Sequence, residues 1–237
     1  MEQVLWLFDT NNGCKLPCWW GITPGETEWP VAEEFLNTFV RSIYISSSTP
    51  DLVVYEPVIP VPTSVFWEER TRLGIVARNG IVEFIDARVP VRDRPPGFLT
   101  AYLLPEFLNT YGRPTEVWLS TYPAAQGQND LPFVVVLFYP DQGIAALFSD
   151  NGVRQGDMVR GCPQQGPVGF LTLWHPPLNL TFAEVQKGAG VYNVDFLALE
   201  ESTAMDVSTF YETFKDAENT ACLETPAVLW LWENLER

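Results

Sequence analysis

The sequence has few basic residues and almost no histidine. Its 237 residues include 14 Lys and Arg against 30 Asp and Glu, which gives a formal net charge of −16. Such a chain repels phosphate backbones and anionic lipid headgroups, so we expect no nucleic-acid binding. With 1 His, it cannot assemble a histidine-rich zinc or haem site, and it offers a single candidate base for Ser-His-Asp or Cys-His catalysis. We therefore expect no cofactor.

Long hydrophobic runs are missing as well. The N-terminal apolar run at residues 4–8 is far shorter than the roughly 20 residues that a membrane-spanning helix needs, so no membrane span is expected. Residues 1–3 lack the cationic start of a secretory signal, so the chain is either cytosolic or a mature form whose leader has been removed. Because 46% of the residues are hydrophobic and 14% aromatic, the chain has enough apolar surface for a folded core.

Cysteine is scarce, and the contexts of the four cysteines favour disulfides. Cys14 and Cys18 flank a turn that contains Pro17, while Cys162 and Cys222 stand alone. A four-thiolate zinc site usually needs closely spaced pairs on both sides, so two disulfides are predicted over zinc or free thiols. Four cysteines allow three pairings, all of which stay open. Disulfides form in oxidising compartments, so this pattern indicates an exported protein.

The chain resembles itself at an offset of 72 residues. Residues 24–39 and 96–111 share seven identities in sixteen positions, against about one expected by chance. In both stretches the apolar residues recur at the i, i+3, i+4, i+7 spacing of an amphipathic helix. These residues are Ala32, Phe35, Leu36 and Phe39 in the first stretch and Leu104, Phe107, Leu108 and Tyr111 in the second. The sequence therefore predicts two copies of one unit, each starting with a short helix.

Strand-like segments follow each predicted helix. Those of the first copy are at residues 52–55, 72–77 and 81–85, and those of the second are at residues 116–120, 133–139 and 144–148. Asn79-Gly80 is a strong hairpin signal between two of them. The predicted fold class is therefore α+β: tandem duplicated units of a short helix followed by an antiparallel three-stranded sheet, plus a C-terminal helical or strand segment.

A Pro-rich segment at residues 89–97 marks a boundary between the two copies. It divides the chain into predicted regions with different contents. These are 1–90 with the first helix-plus-sheet unit, 91–150 with the second unit, and 151–237 as a C-terminal extension.

The C-terminal extension has two predicted elements and an ambiguous tail. Residues 168–174 form a predicted strand. Val207, Phe210 and Phe214 follow helical spacing, with Thr203 or Ser208 as the cap of this third helix. The apolar tail at 227–232 is interpreted as a buried strand or a closing helix.

Residues 14–27 read Cys-Lys-Leu-Pro-Cys-Trp-Trp-Gly-Ile-Thr-Pro-Gly-Glu-Thr. This stretch resembles the C-x-L-P-C-(F/W)-W-G-I-x-P-G-x-T opening of a group of uncharacterised exported bacterial proteins and lipoproteins. The element from Leu103-Leu104 to Val117, which contains Tyr111-Gly112, is also similar to theirs. The resemblance implies export, leaves room for a lipid anchor before Met1, and carries no assigned activity.

The predicted architecture resembles a second set of proteins. A short helix followed by three antiparallel strands, repeated in tandem, is similar to the beta-lactamase-inhibitor-like and BamE-like exported modules. Those modules have a second short helix in each repeat, for which this sequence shows no matching pattern. The resemblance implies protein binding or envelope assembly, with an open sheet face as the docking surface, although a shared fold does not determine function.

Two groups of apolar residues are candidates for an interaction site. Trp19 and Trp20 could form an exposed platform for a sugar or a peptide, or they could pack over the start of the first helix. The N-terminal apolar run could add as a strand to a neighbour's sheet edge, or it could be an edge strand of its own sheet. That run consists of Val4, Leu5, Trp6, Leu7 and Phe8.

Paired carboxylates are the candidates for acid–base catalysis of the glycosidase kind. The pairs are Glu68-Glu69, Glu83 with Asp86, and Glu200-Glu201. Adjacent residues of a strand point to opposite faces, so neighbouring acids would not converge on one bond. Solvated surface charge is the favoured interpretation of these pairs.

Two further motifs are incomplete. Asp141, Asp150 and Asp157 lack the D-x-D-x-D-G spacing of a calcium loop. Residues 188–190 are Gly-Ala-Gly but lack the rest of a phosphate-binding fingerprint. No metal or nucleotide site is predicted from them.

The histidine and one glycosylation sequence complete the candidates. His175 lies in a Pro-rich turn and would need a nucleophile such as Cys162, which a disulfide would disable. Asn179 begins an N-x-T sequence for N-glycosylation, which matters only in a host that glycosylates.

Together these patterns favour a non-catalytic extracellular or cell-surface protein. We expect it to bind a macromolecular partner, or copies of itself, through sheet faces or strand edges. The alternative is a hydrolase of carbohydrate or cell-wall polymers that uses acidic residues. A deep pocket with two carboxylates would favour the hydrolase, and a flat apolar surface would favour binding.

Overall fold

A computed structural model describes residues 2–59, 71–89, 98–121, 130–189 and 195–230 of the chain. These residues form helices and antiparallel strands, which confirms the α+β class. The helices are α1 (Glu2–Thr10), α2 (Trp29–Leu36), α3 (Leu104–Tyr111), α4 (Phe182–Ala189), α5 (Leu199–Ser202) and α6 (Val207–Phe214). The strands are β1 (Ser42–Ser48), β2 (Leu52–Ile59), β3 (Thr71–Arg78), β4 (Ile81–Arg88), β5 (Glu116–Thr121), β6 (Asp130–Tyr139), β7 (Ile144–Gln155), β8 (Met158–Gly161), β9 (Val168–Trp174), β10 (Leu197–Ala198) and β11 (Leu223–Pro226).

The chain forms two compact units, each drawn from separate parts of the sequence. Unit 1 comprises Met1–Leu99, Pro140–Ala145 and Phe170–Val185. Unit 2 comprises Thr100–Tyr139, Ala146–Gly169 and Gln186–Arg237. The predicted division into three continuous regions at residues 90 and 150 stays a prediction.

Unit 1 contains an antiparallel sheet in the order β1-β2-β3-β4-β9. Asn79 and Gly80, both with positive φ, form the predicted turn between β3 and β4. Side chains alternate between the two faces of a strand, and one face of this sheet carries the core. Its fully buried residues include Leu73, Ile75, Ile85, Ala87, Leu171 and Leu173.

Helix α2 covers the core face of this sheet. Trp29 stacks on Tyr55 with ring centroids 3.5 Å apart, and Tyr55 lies directly opposite Ile75. Pro30 occupies the first turn of the helix, where its missing N–H has no helical partner to lose. The opposite face also carries buried residues at its β9 end, namely Phe170, Thr172 and Trp174.

The N-terminal apolar run lies in helix α1, so the predicted strand over residues 4–8 is wrong. Val4, Leu7 and Phe8 follow the i, i+3, i+4 spacing and are buried, whereas Trp6 is 52% exposed. Leu5 is half-buried. A five-residue apolar run fits both helical and strand periods, so the sequence could not separate them. The run can act neither as a donated strand nor as an edge strand in this form.

Unit 2 has the strand order β10-β5-β6-β7, with β8 on β7 and β11 on β8. Helix α3 packs through Phe107, whose ring contacts those of Tyr139 and Phe148 at centroid distances of 6.2 and 5.8 Å. Its Asn109 donates a hydrogen bond of 3.0 Å to the carbonyl of Lys215, just after α6. The apolar face predicted for this helix is thus its buried face.

Several predicted elements of the C-terminal region are confirmed. Strand β9 has the predicted bounds, and the third helix is α6. Its cap is Asp206, whose Oδ1 accepts a 2.7 Å hydrogen bond from the N–H of Thr209, so the predicted caps Thr203 and Ser208 are wrong. Residues 227–230 form a short 3-10 turn, and the rest of that apolar tail lies outside the described residues.

Strand β1 is the main element that the sequence analysis missed. Four of its seven residues are Ser, and only Ile43, Tyr44 and Ile45 give it β-propensity. With β1 included, four strands (β1 to β4) lie between α2 and α3, and five strands (β5 to β9) lie between α3 and α4. Both stretches thus contain a helix and then antiparallel strands, and their common origin stays a prediction.

His175 packs directly on Gly25. Gly25 has a φ of +83°, and a Cβ added there would overlap the imidazole ring of His175. Gly80 has a similar φ of +80°, but a Cβ added there would meet nothing within 4 Å. A side chain added at either glycine would therefore strain the backbone to a similar degree. Only at Gly25 would it also overlap a neighbouring side chain.

We predict that Gly25→Ala lowers the free energy of unfolding by about 3 kcal/mol or more, and Gly80→Ala by only about 1 kcal/mol. Urea denaturation with the disulfides intact measures both. In a His175→Ala background, where the ring is gone, the cost of Gly25→Ala should fall to that of Gly80→Ala. A cost that does not change in this background would contradict the packing of His175 on Gly25.

Candidate functional site

All four cysteines are paired, which confirms the predicted disulfides. Cys14 bonds to Cys18 in unit 1, and Cys162 bonds to Cys222 in unit 2. Cys162 and Cys222 lie next to Gly161 of β8 and to β11, so this bond joins the ends of two paired strands. No cysteine is left as a zinc ligand or as a nucleophile.

The side chain of Asn11 organises the loop between Cys14 and Cys18. Its Nδ2 donates hydrogen bonds of 2.9 and 2.8 Å to the carbonyls of Cys14 and Cys18, and its Oδ1 accepts one of 2.8 Å from the N–H of Trp20. Asn11 is 5% exposed. The sequence analysis missed it, although Asn-Asn-Gly before a cysteine is typical of left-handed turns.

Trp19 and Trp20 are buried, at 0% and 1% exposure, so they do not form an exposed platform. Their rings stack on each other at a centroid distance of 5.1 Å. Phe8 of α1 meets the ring of Trp20 edge-on at 4.9 Å. Trp19 and Trp20 of the motif at residues 14–27 therefore belong to the core of unit 1.

Two of the three predicted carboxylate pairs lie in the described ranges, where Glu83 and Glu200 each have a partner outside their pair. Glu200 lies in α5, not in a strand, and its carboxylate accepts a hydrogen bond from a backbone N–H of α6. Glu83 forms an ion pair with Arg78 at 3.0 Å. The pair Glu68 and Glu69 lies outside the described residues. Surface or paired charge accounts for Glu83 and Glu200, whereas burial raises the pKa of Asp86.

The remaining sequence candidates have structural or surface positions. Asp150 accepts a hydrogen bond of 2.8 Å from the N–H of Cys162, and within the described ranges no cluster of three or more His, Cys, Asp or Glu could hold a metal ion. His175 packs on Gly25. Asn179 is exposed in a left-handed turn, and its glycosylation stays a prediction.

Asp86, a member of one predicted pair, lies with a second acid, Glu56, on the face of the unit 1 sheet opposite α2. Tyr44 of β1 lies opposite Glu56, Gly74 lies opposite Asp86, and Asp86 lies opposite Thr172. The register of β2 with β3 places Glu56 opposite Gly74. Directly opposed residues point to the same face, so these five residues form one row across five strands, which we call the acidic row.

Gly74 separates the two carboxylates of the acidic row. It has no side chain, so space is left between Glu56 and Asp86, whose Cα atoms are two strand spacings or about 9.5 Å apart. The apolar residues Val54, Val76 and Phe84 lie one row away on the same face and are half-buried. The acidic row is thus bordered by apolar surface.

The two acids differ in their surroundings. Burial raises the pKa of Asp86 to about 7, even though the hydrogen bond of 2.8 Å from the Thr172 hydroxyl favours the charged form. Glu56 is exposed, and within the described part of the chain its carboxylate has no hydrogen bond or ion pair. One acid is therefore part-protonated at neutral pH, and the other is free to meet a cation.

Strand β1 is the edge of this sheet, since among the described residues it pairs only with β2. Tyr44 is 59% and Ile45 is 62% exposed, and they point to opposite faces. β1 has no charged residue and no proline, which are common protections of an edge strand. A bulge between Ile45 and Ser47 limits the regular edge to residues 42–45.

Comparisons with known proteins add no identification. No family model, no curated protein and no solved structure matches the chain. The resemblances to exported proteins and to tandem binding modules therefore stay predictions. In the ranges that the structure describes, no helix has both the length and the apolar composition needed to cross a bilayer.

We predict that Asn11→Ala lowers the free energy of unfolding by about 2 to 3 kcal/mol more than Asn12→Ala, because buried groups lose their hydrogen-bond partners. Asn12 is the matched control. It shares the positive φ, but its side chain makes one hydrogen bond of 3.3 Å, to the carbonyl of Trp20. Chemical denaturation of the oxidised proteins measures the difference. Equal losses would show that Asn11 does not hold the loop.

We predict that Asp86 makes stability fall as the pH rises. Because its folded pKa of about 7 lies above the ordinary value of 3.8, the folded chain keeps a proton that the unfolded chain releases. This stabilisation amounts to up to about 4 kcal/mol of the free energy of unfolding. It is fully present below about pH 4 and has been lost when the pH reaches about 7.

Urea unfolding between these limits, compared with Asp86→Asn, isolates this effect. The amide imitates the neutral carboxyl, so the difference in stability between the two proteins should change across this pH range. Asp141→Asn, at an exposed acid, should follow the wild type. Parallel curves for wild type and Asp86→Asn would contradict the raised pKa.

Proposed function

We propose that this protein is a non-catalytic, extracellular or cell-surface binding protein that accepts an extended segment of a protein partner along strand β1. The observation that carries the proposal is the exposed edge strand β1, which has no charged residue and no proline and a regular edge at residues 42–45. Exposed strand edges bind extended chains because their unpaired N–H and C=O groups form a regular ladder with the added strand.

The side chains of β1 fit this role. Tyr44 and Ile45 offer an aromatic and an aliphatic contact on the two faces of the edge. Large exposed apolar side chains beside free backbone groups are the combination that strand addition uses for affinity and specificity. The regular part of the edge is short, so we expect a short linear segment to dock, in place of a whole domain.

Location outside the cytoplasm is supported by the two disulfides, which form in oxidising compartments. We also propose that the stretches containing α2 and α3 descend from one duplicated helix-plus-strands unit. Their seven identities in sixteen positions, and the helix followed by strands in each, support that origin. The different strand counts, four after α2 and five after α3, would then reflect divergence of the two copies.

A hydrolase is the second candidate, and the acidic row favours it over other enzyme classes. Asp86 has the raised pKa of a general acid, and Glu56 is exposed. Inverting glycosidases hold their two carboxyl groups roughly 6.5 to 9.5 Å apart, a separation that this spacing can reach. Release of reducing sugars from peptidoglycan or neutral polysaccharides, abolished by Asp86→Asn and by Glu56→Gln, would favour it over binding.

The test starts with random nonapeptides that are displayed on phage and selected for binding to the wild-type protein. We predict that these peptides bind the Ile45→Lys protein at least about tenfold more weakly than they bind the wild type. A charged side chain on an edge strand opposes strand addition. Val31→Lys is the matched control, since Val31 is 59% exposed on α2 and outside the sheet. Peptides that bind all three proteins equally, or the failure to select any peptide, would count against the proposal.

A further inference from the structure

We propose that the segment bound at β1 carries Lys or Arg opposite Tyr44 and an apolar residue opposite Ile45. This inference rests on the proposed function and names the chemistry of the partner: an extended basic and apolar segment of another protein. It follows from what the two faces of the edge present to an added strand.

On the face of the acidic row, an added strand continues the row. Its residue opposite Tyr44 would be the next member after Tyr44 and Glu56. A long cationic side chain there can lie across the exposed Tyr44 ring and direct its charge toward the Glu56 carboxylate. Both contacts favour a cation, and the carboxylate disfavours an acid at this position.

On the core face, the residue opposite Ile45 meets a different surface. Ile45 pairs with Tyr55, and Tyr55 is stacked on Trp29. An apolar residue of the added strand would therefore extend an existing apolar row. Since neighbouring residues of a strand point to opposite faces, the cationic and apolar residues of the partner would be adjacent in its sequence.

Charge argues against a second copy of this chain as the occupant. A net charge of −16 makes two copies repel each other, and pairing of two β1 strands about Tyr44 would bring two Glu56 carboxylates onto one row. Arg41, the cation just before β1, already has a partner within the chain. A basic partner relieves this charge, whereas a second copy adds to it.

The test uses the phage-selected peptides that lose binding on Ile45→Lys. One such peptide is synthesised with Lys, Gln or Glu at each alternate position, and its dissociation constants are measured by fluorescence anisotropy. At one position the Lys form should bind the wild type about tenfold more tightly than the Gln form, from the ring and carboxylate contacts together. With the Glu56→Gln protein and with the Tyr44→Leu protein, the ratio of the Gln-form to the Lys-form dissociation constant should fall to about threefold or less.

Salt and a matched control sharpen the result. The Lys preference of the wild type should weaken between about 50 and 500 mM NaCl, because salt screens exposed charges. The residual preference of the Glu56→Gln protein should weaken less. Glu34→Gln, at an exposed helix acid outside the acidic row, should keep the wild-type ratio.

The outcomes separate the two proposals. Peptides that depend on Ile45 but show no preference for Lys, or a preference that Glu56→Gln leaves intact, overturn the cationic partner while strand addition stands. If no selected peptide depends on Ile45, both proposals fail. A dimer of the protein itself that Ile45→Lys dissociates would identify a second copy as the occupant and would overturn the basic partner.

Discussion

The register of strands β2, β3, β4 and β9 is the constraint on which the rest of unit 1 depends. In an antiparallel sheet, directly opposed residues share a face, so register decides which side chains meet. Here it places Ile75 and Ile85 together under α2 and places Gly74 and Asp86 together on the other face. A slip of one residue would exchange these faces and would place Asp86 among the apolar side chains under α2. The Asn79-Gly80 turn and the apolar core prevent this slip together.

Retention of Asp86 on the sheet is difficult to explain by stability alone. Burial of a carboxyl costs free energy at neutral pH, as its raised pKa of about 7 indicates, and one hydrogen bond from Thr172 offsets part of this cost. Perturbed acids concentrate at functional sites. In this protein the acid lies in line with an exposed glutamate and an exposed edge tyrosine, so the row of side chains leads from the sheet to its free edge.

The two disulfides act at different scales. Cys14–Cys18 closes a short loop whose form already depends on Asn11 and on the buried Trp19 and Trp20. Cys162–Cys222 spans 60 residues of sequence and joins the ends of β8 and β11 in unit 2. Closing a long loop restricts the unfolded chain more than closing a short one, so the second bond contributes more through the unfolded state.

The sequence by itself determined the α+β class, the helices α2, α3 and α6, most strands and the disulfide state, because periodicity and cysteine context are local properties. It could not separate helix from strand at residues 4–8, since a short apolar run fits both periods, and it missed β1, whose serines carry little signal. Only the tertiary structure decided that Glu56 and Asp86 share a row, that Asn11 holds the disulfide loop, and that Trp19 and Trp20 are buried. The shared row depends on exact pairing register, and the burial of the two tryptophans depends on packing against α1, neither of which a local pattern encodes. The hydrogen bonds of Asn11 span only 3 to 9 residues, but they form only once the loop has its folded shape.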